Sequence, residues 1–386
     1  MFLVSPDNHM GVMAGLFAIA GAAFLLEKTR IGSQLTGAVI AILGAIVASN
    51  IGLIPHSAPA YDFVFTYFVP ILIPLFLFKA DLRRIFSEAG RMTAAFLLAA
   101  TGTVAGVTIA ALALDLSSLG AAADIAEAAR EPAIAGLFTS TYIGGSVNYA
   151  ALGELTGLKD DASFFSAATA ADNLFSALYL MMLAVMPGWL WLAKRYVPHN
   201  EEPPVVAEVS APASAMSLTL SLGLALLIVT VGDALMGYFD LAGWRYVIIT
   251  SLALGFATLA PKWAGQLSGS FELGVGLSFV FFTAIAAGAN IAAMIEVGPL
   301  LIALVTIILA VHAVITFGFG MLFKLSLPEL IIASNAAVLG ATTAPALAAT
   351  KGWHNLVTPA VLVGVMGYAL GTFIGTLVFK FWGAFL

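Results

Sequence analysis

Long apolar runs follow one another along almost the whole chain, separated by short polar turns. About 20 apolar residues suffice to cross a bilayer as a helix. Runs of that order are predicted at about 10–26, 34–54, 61–82, 92–114 and 162–193, and again at about 215–238, 245–261, 272–294, 298–323 and 356–383. Between the fourth and fifth run of each half lies a stretch that breaks the pattern, about 132–158 and about 328–352. Their cores are Thr139-Ser-Thr-Tyr-Ile-Gly-Gly-Ser-Val-Asn148 and Ser334-Asn-Ala-Ala-Val-Leu-Gly-Ala-Thr-Thr343. The bilayer interior offers no water to unpaired backbone groups, so non-helical backbone there must be buried in protein or line a cavity. Paired interruptions at corresponding points of two halves point to a transporter's binding site.

Each interruption reads as either a full span or a re-entrant hairpin, and the placement of basic residues decides between them. With two hairpins and the N-terminus outside, Lys28, Arg30, Lys79, Arg83, Arg84, Arg91, Lys194, Arg195, Lys262, Lys324 and Lys351 lie at or toward the cytoplasm. Arg130, Lys159, Arg245 and Lys380 then face out. If both stretches spanned, Lys194, Arg195, Lys262 and Lys324 would move out while Lys159 and Arg245 moved in, a weaker bias. The hairpin reading also leaves five crossings per half. That odd number makes the halves, 1–193 and 215–386, inverted relative to each other. Both termini then lie outside, and the polar tether at about 194–214, with Pro198, Glu201, Glu202, Pro203 and Pro204, lies inside.

The halves also correspond in sequence. Aligning Gly145 with Gly340 sets Thr139-Ser140 opposite Ser334-Asn335 and Asn148 opposite Thr343. Lys79-Ala-Asp81-Leu matches Gly288-Ala-Asn290-Ile. The predicted fold is therefore an all-α polytopic membrane protein: two inverted repeats, each of five spans and one hairpin.

Composition agrees. Of 386 residues 61% are hydrophobic and 9% charged, and the mean hydropathy is +1.04, far too greasy for a soluble domain. No cysteine is present, which excludes disulfides, thiol catalysis and thiolate metal sites. His9, His56, His199, His312 and His354 are scattered without ligand spacing, so no metal site is expected beyond a possible Na⁺. The formal charge of -6 carries little information. The first ten residues lack the basic start of a secretory signal, so the first run reads as a span.

The interruptions carry the chemistry. Gly144-Gly145 permits a tight turn with positive φ and close approach of a ligand, with Ser146 expected to cap the second half-helix. In the other half Gly340 makes the turn, Thr342 and Thr343 supply caps, and Pro345 fits the first helical turn. Half-helices of roughly 8 to 12 residues, at 1.5 Å per residue, bring such turns near mid-depth. Helix N-termini there suit a carboxylate, and free carbonyls with hydroxyls suit Na⁺. Expected solute ligands are Thr141, Gly144, Gly145, Ser146, Asn148, Ser334, Asn335, Gly340, Thr342 and Thr343. The plainer reading is that these small residues only pack helices.

Asp172, ten residues into the fifth span, is an ionisable group at mid-depth and hence a functional candidate. With Thr169 and Asn173 it makes an expected cation site; a neutral, locally bonded carboxyl is the plainer reading. The equivalent position in the second half is Gly367. Asp81 reads as an interfacial partner of Arg83, Asn290 as a packing amide, His312 as a hydrogen-bonded packing histidine, and Asp115 and Asp233 as solvated. Phe63, Tyr67, Trp189, Trp191 and Trp382 read as interface anchors or packing residues.

Ser5-Pro-Asp-Asn8, Leu75-Phe-Leu-Phe-Lys-Ala-Asp-Leu-Arg-Arg84, Thr141-Tyr-Ile-Gly-Gly-Ser-Val-Asn148, Ala170-Ala-Asp-Asn173, Ala333-Ser-Asn335, Gly340-Ala-Thr-Thr343 and Gly364-Val-Met-Gly-Tyr368 closely resemble the YjcL-like family of uncharacterised membrane proteins, a domain of unknown function. The paired hairpins are more distantly similar to those of sodium-coupled glutamate and 2-hydroxycarboxylate symporters, in the superfamily of cation/proton antiporters and anion transporters. That resemblance implies a homodimer and elevator motion of a hairpin-bearing domain against a scaffold. No arginine lies at either turn to clamp a dianion.

The expected function is Na⁺- or H⁺-coupled symport of a small organic solute, an amino acid or monocarboxylate. The alternative is a monovalent cation/proton antiporter using Asp172. No nucleic acid partner, no organic cofactor and no enzymatic activity are expected. A Ser146 nucleophile would need His312 beside it, and an aspartyl protease would need a second aspartate facing Asp172.

Overall fold

Fourteen helices carry the architecture of the computed structural model, which describes residues 3–29, 37–199, 212–241, 244–289 and 291–384. The first half holds α1 (His9–Glu27), α2 (Gly37–Asn50), α3 (Pro59–Leu77), α4 (Gly90–Ala113), α5 (Glu127–Gly144), α6 (Ser146–Thr156) and α7 (Ala162–Val185). The second holds α8 (Ala215–Tyr238), α9 (Arg245–Leu259), α10 (Ser270–Ala287), α11 (Ile291–Leu322), α12 (Leu327–Val338), α13 (Thr343–Thr350) and α14 (His354–Lys380). Both halves run in one order: long, short and long helices, a fourth long helix, a helix–turn–helix pair, and a long closing helix. Among the described residues the one β interaction is an isolated bridge between Val197 and Ser326.

Eight of the described helices are long and apolar enough to cross a membrane, and the chain is a multi-pass membrane protein. Large apolar side chains stand outward on them, with Leu25 69% and Val314 72% exposed, as lipid-facing residues do. Outward-facing hydroxyls of Thr101, Thr230, Ser251 and Thr306 bond back to the carbonyl four residues earlier, so none of them meets lipid unsatisfied. Several helix starts are set by side-chain caps. Asn8 accepts from the Gly11 N–H, Asp161 from that of Phe164, and Ser326 forms a reciprocal capping box with Glu329. Within α3 the helix widens to a π turn over Val64–Phe68. It does so where the Pro70 ring would press on the carbonyl one turn earlier.

Several expected boundaries move. The run placed at 272–294 ends at Ala287, and the next helix starts at Ile291 rather than near 298. Hydropathy marks where the apolar run starts. Helix hydrogen bonding begins earlier, through good helix formers around Glu296, and continues past Pro299. The second helix of each half, α2 and α9, has 14 and 15 residues, about 21–23 Å at 1.5 Å per residue and short of the hydrocarbon thickness. Arg30, Asn290 and the tether residues Glu201, Glu202, Pro203 and Pro204 lie outside the described residues.

Packing divides the helices into two sets that exchange partners between halves. Helix α3 packs against α8 and α9, while α10 packs against α1 and α2, and α3 and α10 meet. In the other set α5 lies along α14, α4 along α11, and α7 against α11, with α12 touching α4, α5 and α14. Contacts of α7 with α2 and α10, of α14 with α3 and α9, and of α6 with α3 join the sets.

Candidate functional site

The first interruption folds back on itself. The Ser140 hydroxyl donates to the Asn148 carbonyl at 3.2 Å, a separation that eight residues of continuous helix, about 12 Å long, would forbid. The reversal is made at Gly145, whose φ of 74° favours glycine. Its open side is fastened by Asp161, which lies after α6, accepts from the Ala122 N–H before α5 at 3.1 Å and also caps α7. The first limb, α5, has 18 residues and exceeds the expected half-helix, because Glu127–Glu131 extend it outward from the apolar part. Ser146 does not cap α6. It is the first helical residue, exposed at the turn, and Gly145 at the cap position has no side chain to offer.

The second interruption repeats this construction. Gly340 turns the chain with φ 93°, and the Thr343 hydroxyl donates to Asn335 Oδ1 across the fold at 2.6 Å. Thr342 and Thr343 do not act as side-chain caps: Thr342 occupies the cap position without a cap bond and is exposed, while Thr343 turns to Asn335. His199 spans the open side. Its Nδ1 lies 3.2 Å from Ser326 Oγ, before α12, and its Nε2 lies 3.1 Å from Asn355 Oδ1, after α13. Both ends of the hairpin therefore emerge together.

The two open sides lie at opposite ends of α4. Arg91, in its first turn, holds Glu329 of α12 with bonds of 2.6 and 2.9 Å. Past its other end, the Ser117 carbonyl accepts from Arg130 of α5 at 3.2 Å. Helix α4 has 24 residues, about 36 Å at the standard rise, so the hairpins approach each other from opposite directions.

Their turns come together on one turn of α14. A Cβ on Gly364 would lie 2.5 Å from Ala341 Cα at the second tip, and one on Gly367 would lie 2.7 Å from the Ile143 carbonyl oxygen at the first. The contact continues down α14, where a Cβ on Gly371 or Gly375 would meet the Ser140 or Gly136 carbonyl at 2.8 and 2.9 Å. Small residues four apart on both helices thus let backbone lie on backbone. Gly144, expected to admit a ligand, admits α14 instead: a Cβ there would strike the Gly367 carbonyl and the Asn148 amide. Asn148 fastens the same contact, donating to the Gly367 carbonyl and accepting from the Thr372 hydroxyl, each at 3.2 Å. Thr141 is buried, and its carbonyl receives the Gly145 N–H at 2.7 Å. Of the expected solute ligands, Ser146 and Thr342 are exposed at the tips. Asn335 is fully buried with its Nδ2 unbonded beside the start of α13.

Asp172 is half-buried on α7 and accepts from the Ser176 hydroxyl at 3.2 Å. The Tyr142 hydroxyl, buried and without a hydrogen bond, lies beside its carboxylate. Thr169 and Asn173 direct a hydroxyl and an amide to carbonyls of their own helix, at Phe165 and Thr169. His312 is fully buried and hydrogen-bonded, and lies between Thr103 and Ser334 at 2.9 Å each. Sequence reading missed Tyr142 and Thr103. Tyr142 lies inside the conspicuous Tyr-Ile-Gly-Gly-Ser segment, but only the fold brings its ring to Asp172.

Two peripheral expectations are corrected. Asp233 is not simply solvated, since it forms a two-pronged pair with Arg245 at 2.6 and 2.9 Å. Asp81 caps a short helix through the Arg83 N–H at 2.9 Å rather than pairing with the Arg83 side chain. Trp382 takes the packing role of the two expected for it. It is 6% exposed and donates to Glu131 Oε1 at 2.8 Å.

Asp115 is solvated as expected, and its carboxylate receives the Ser117 hydroxyl at 2.6 Å and the Ser117 N–H at 3.1 Å. These bonds, the hydroxyl's first, hold its pKa below the usual carboxylate range. A lowered carboxyl pKa gives stability that is present above the unfolded value, about 3.9, and lost as pH falls through the folded one. Exchange of the Ser117 amide, corrected for its intrinsic pH dependence, is expected to stay constant down to about pH 4. Below that it should accelerate as the cap is lost.

Residues 14–385 match the family described as Protein of unknown function (DUF819). Uncharacterized membrane protein YjcL of Bacillus subtilis (strain 168) is 33% identical over 412 residues, covering 100% of this chain and 99% of that protein.

Proposed function

Since the chain belongs to the DUF819 family of proteins of unknown function, we propose that its activity is secondary active transport. In this reading it carries out Na⁺- or H⁺-coupled symport of a small organic solute, an amino acid or monocarboxylate. The observation that carries the proposal is the meeting of two hairpin tips, approaching from opposite ends of α4, on the Gly364–Gly367 turn in the middle of α14. A solute placed at the tips faces the N-terminal N–H groups of α6 and α13, neither of which has a side-chain cap. It also faces the exposed Ser146 and Thr342 and the spare donor on Asn335. Asp172, with its hydroxyl neighbours, would bind the coupling ion.

The division of the helices supports an elevator arrangement of two inverted repeats. Helices α4–α7 and α11–α14 would form the moving domain, and α1–α3 and α8–α10 the scaffold and homodimer contact. Both termini would lie outside the inner membrane. Purified protein should melt at a higher temperature when a carboxylate or amino acid is added together with Na⁺ or at low pH, since ligands stabilise the state that binds them. No shift with any member of a broad panel, and no ion-dependent uptake into proteoliposomes, would reject the reading.

One observation favours a second reading, monovalent cation/proton antiport. Among the described residues, the groups that hydrogen-bond or lie beside Asp172 are the hydroxyls of Ser176 and Tyr142, and no arginine or lysine is among them. A carboxylate so placed is free to exchange a proton for a cation. Na⁺-driven proton movement in proteoliposomes containing no solute would select this reading.

A further inference from the structure

Five buried polar groups, one from each of five helices that include a limb of both hairpins, form a continuous hydrogen-bonded chain. The Tyr179 hydroxyl on α7 lies 2.8 Å from Ser334 Oγ on α12, and that oxygen lies 2.9 Å from His312 Nε2 on α11. On the other side of the ring, Nδ1 lies 2.9 Å from Thr103 Oγ1 on α4, which donates to the Tyr142 carbonyl of α5 at 3.1 Å. Ser334, His312, Thr103 and Tyr142 are fully buried and Tyr179 is 6% exposed. The Tyr179 ring also stands edge-on to His312 at 5.8 Å.

Donor and acceptor counts give the chain a direction. A threonine hydroxyl has one proton. The two carbonyls beside Thr103, of Tyr142 at 3.1 Å and Ala99 at 3.3 Å, can only accept. If Thr103 gives its proton to either, its oxygen must accept from His312, which places the ring proton on Nδ1. Nε2 then accepts from Ser334, and Ser334 accepts from Tyr179. Every member is satisfied in this arrangement. With the proton on Nε2 instead, the Thr103 proton would turn to Nδ1 and the Tyr142 carbonyl would lose its side-chain donor.

We infer that His312 is a positioning residue, held as the neutral Nδ1–H tautomer, that ties the tip of the first hairpin to the second hairpin. Tyr142 is the junction. Its carbonyl closes the chain from His312 three residues before Gly145, while its phenol lies beside Asp172. Asp172, Ser176 and Tyr179 share one face of α7, at i, i+4 and i+7, so the chain returns to the helix that carries the candidate ion site. The coupling consequence rests on the transport reading: an ion at Asp172 is felt at both tips, and by linkage a solute at the tips alters ion affinity equally. The connectivity itself does not depend on that reading.

The test uses the full-length protein in nanodiscs, without added solute. In protein labelled with ring-¹⁵N histidine, the His312 signals are assigned by their loss in His312→Gln. They are expected to show a protonated Nδ1 and a bare, hydrogen-bonded Nε2. Amide exchange is then followed at both tips. Ser334→Ala is expected to speed exchange in residues 139–149 of the opposite hairpin about tenfold, the scale of one or two buried hydrogen bonds. Thr103→Val is expected to do the same in residues 332–343. His312→Gln, whose amide keeps one donor and one acceptor, should leave both tips protected, and His312→Leu should release both. A signal from protonated Nε2, or tips that respond only to substitutions in their own hairpin, overturns the inference. If His312→Leu does not fold, Thr103→Val and Ser334→Ala still decide. A failure of transport with this pattern intact would count against the proposed function alone.

Discussion

Replacing Asp172 with asparagine is expected to abolish ion-dependent uptake while leaving the fold at least as stable. The substitution keeps the side chain's size, and the Ser176 hydroxyl can still donate to the remaining carbonyl oxygen. It removes the charge. A charge-assisted contact to a buried ion is worth roughly 3 kcal/mol, so ion affinity should fall about a hundredfold or more. Stability should move the other way, because insertion scales place the cost of a mid-membrane aspartate at about 2.5 to 3.5 kcal/mol. Uptake into proteoliposomes and the unliganded melting temperature, measured on the same preparation, check both halves. A residue kept only for structure would show loss of stability with its loss of charge. Unchanged ion dependence in Asp172→Asn would remove the residue from the site.

The second large effect is structural. Gly367→Val should prevent accumulation of folded protein, or cost about 3–5 kcal/mol where it folds. The first carbon of any side chain at Gly367 would sit 2.7 Å from the Ile143 carbonyl oxygen and 3.2 Å from the Phe96 ring. The ring can tilt, but the carbonyl is backbone and can yield only if α5 leaves α14. That separation would also break the Asn148 bonds to Gly367 and Thr372. By contrast, Gly276→Ala on α10 meets nothing within 4 Å and sits in a helix, so it should be neutral or slightly stabilising. Reversible unfolding in mild detergent compares the two. Equal stability of the two variants would mean that α5 and α14 do not lie backbone to backbone.

The order of elements was legible in the chain because bilayer crossing imposes a length and a polarity that few other structures share. The hairpins were legible for the same reason: Gly145 and Gly340 interrupt apolar runs, and both take positive φ. Which neighbour each polar group would find was not legible. Asn148 looked like a solute ligand, yet both ends of its amide hold α14. Hydropathy reports that a group is polar, not whether a helix 219 or more residues away will satisfy it. Ser146, Thr342 and Thr343 have capping side chains, but Ser146 and Thr343 fall one step inside their helices and Thr342, at the cap position, makes no cap bond. His312 was recognisable as a packing residue. Its partners Thr103 and Ser334 lie 209 and 22 residues away, and no local spacing announces them.

In the proposed arrangement two helix pairs dip from opposite membrane faces until their ends share one turn of α14. The natural chain has no cysteine, so single cysteines can be introduced at Asp160, after α6, and at Lys351, after α13, both exposed. A membrane-impermeant maleimide should modify Asp160→Cys only from outside intact cells and Lys351→Cys only from the cytoplasmic face of inverted vesicles. Modification of both from the same face would contradict the inverted arrangement and the site built on it.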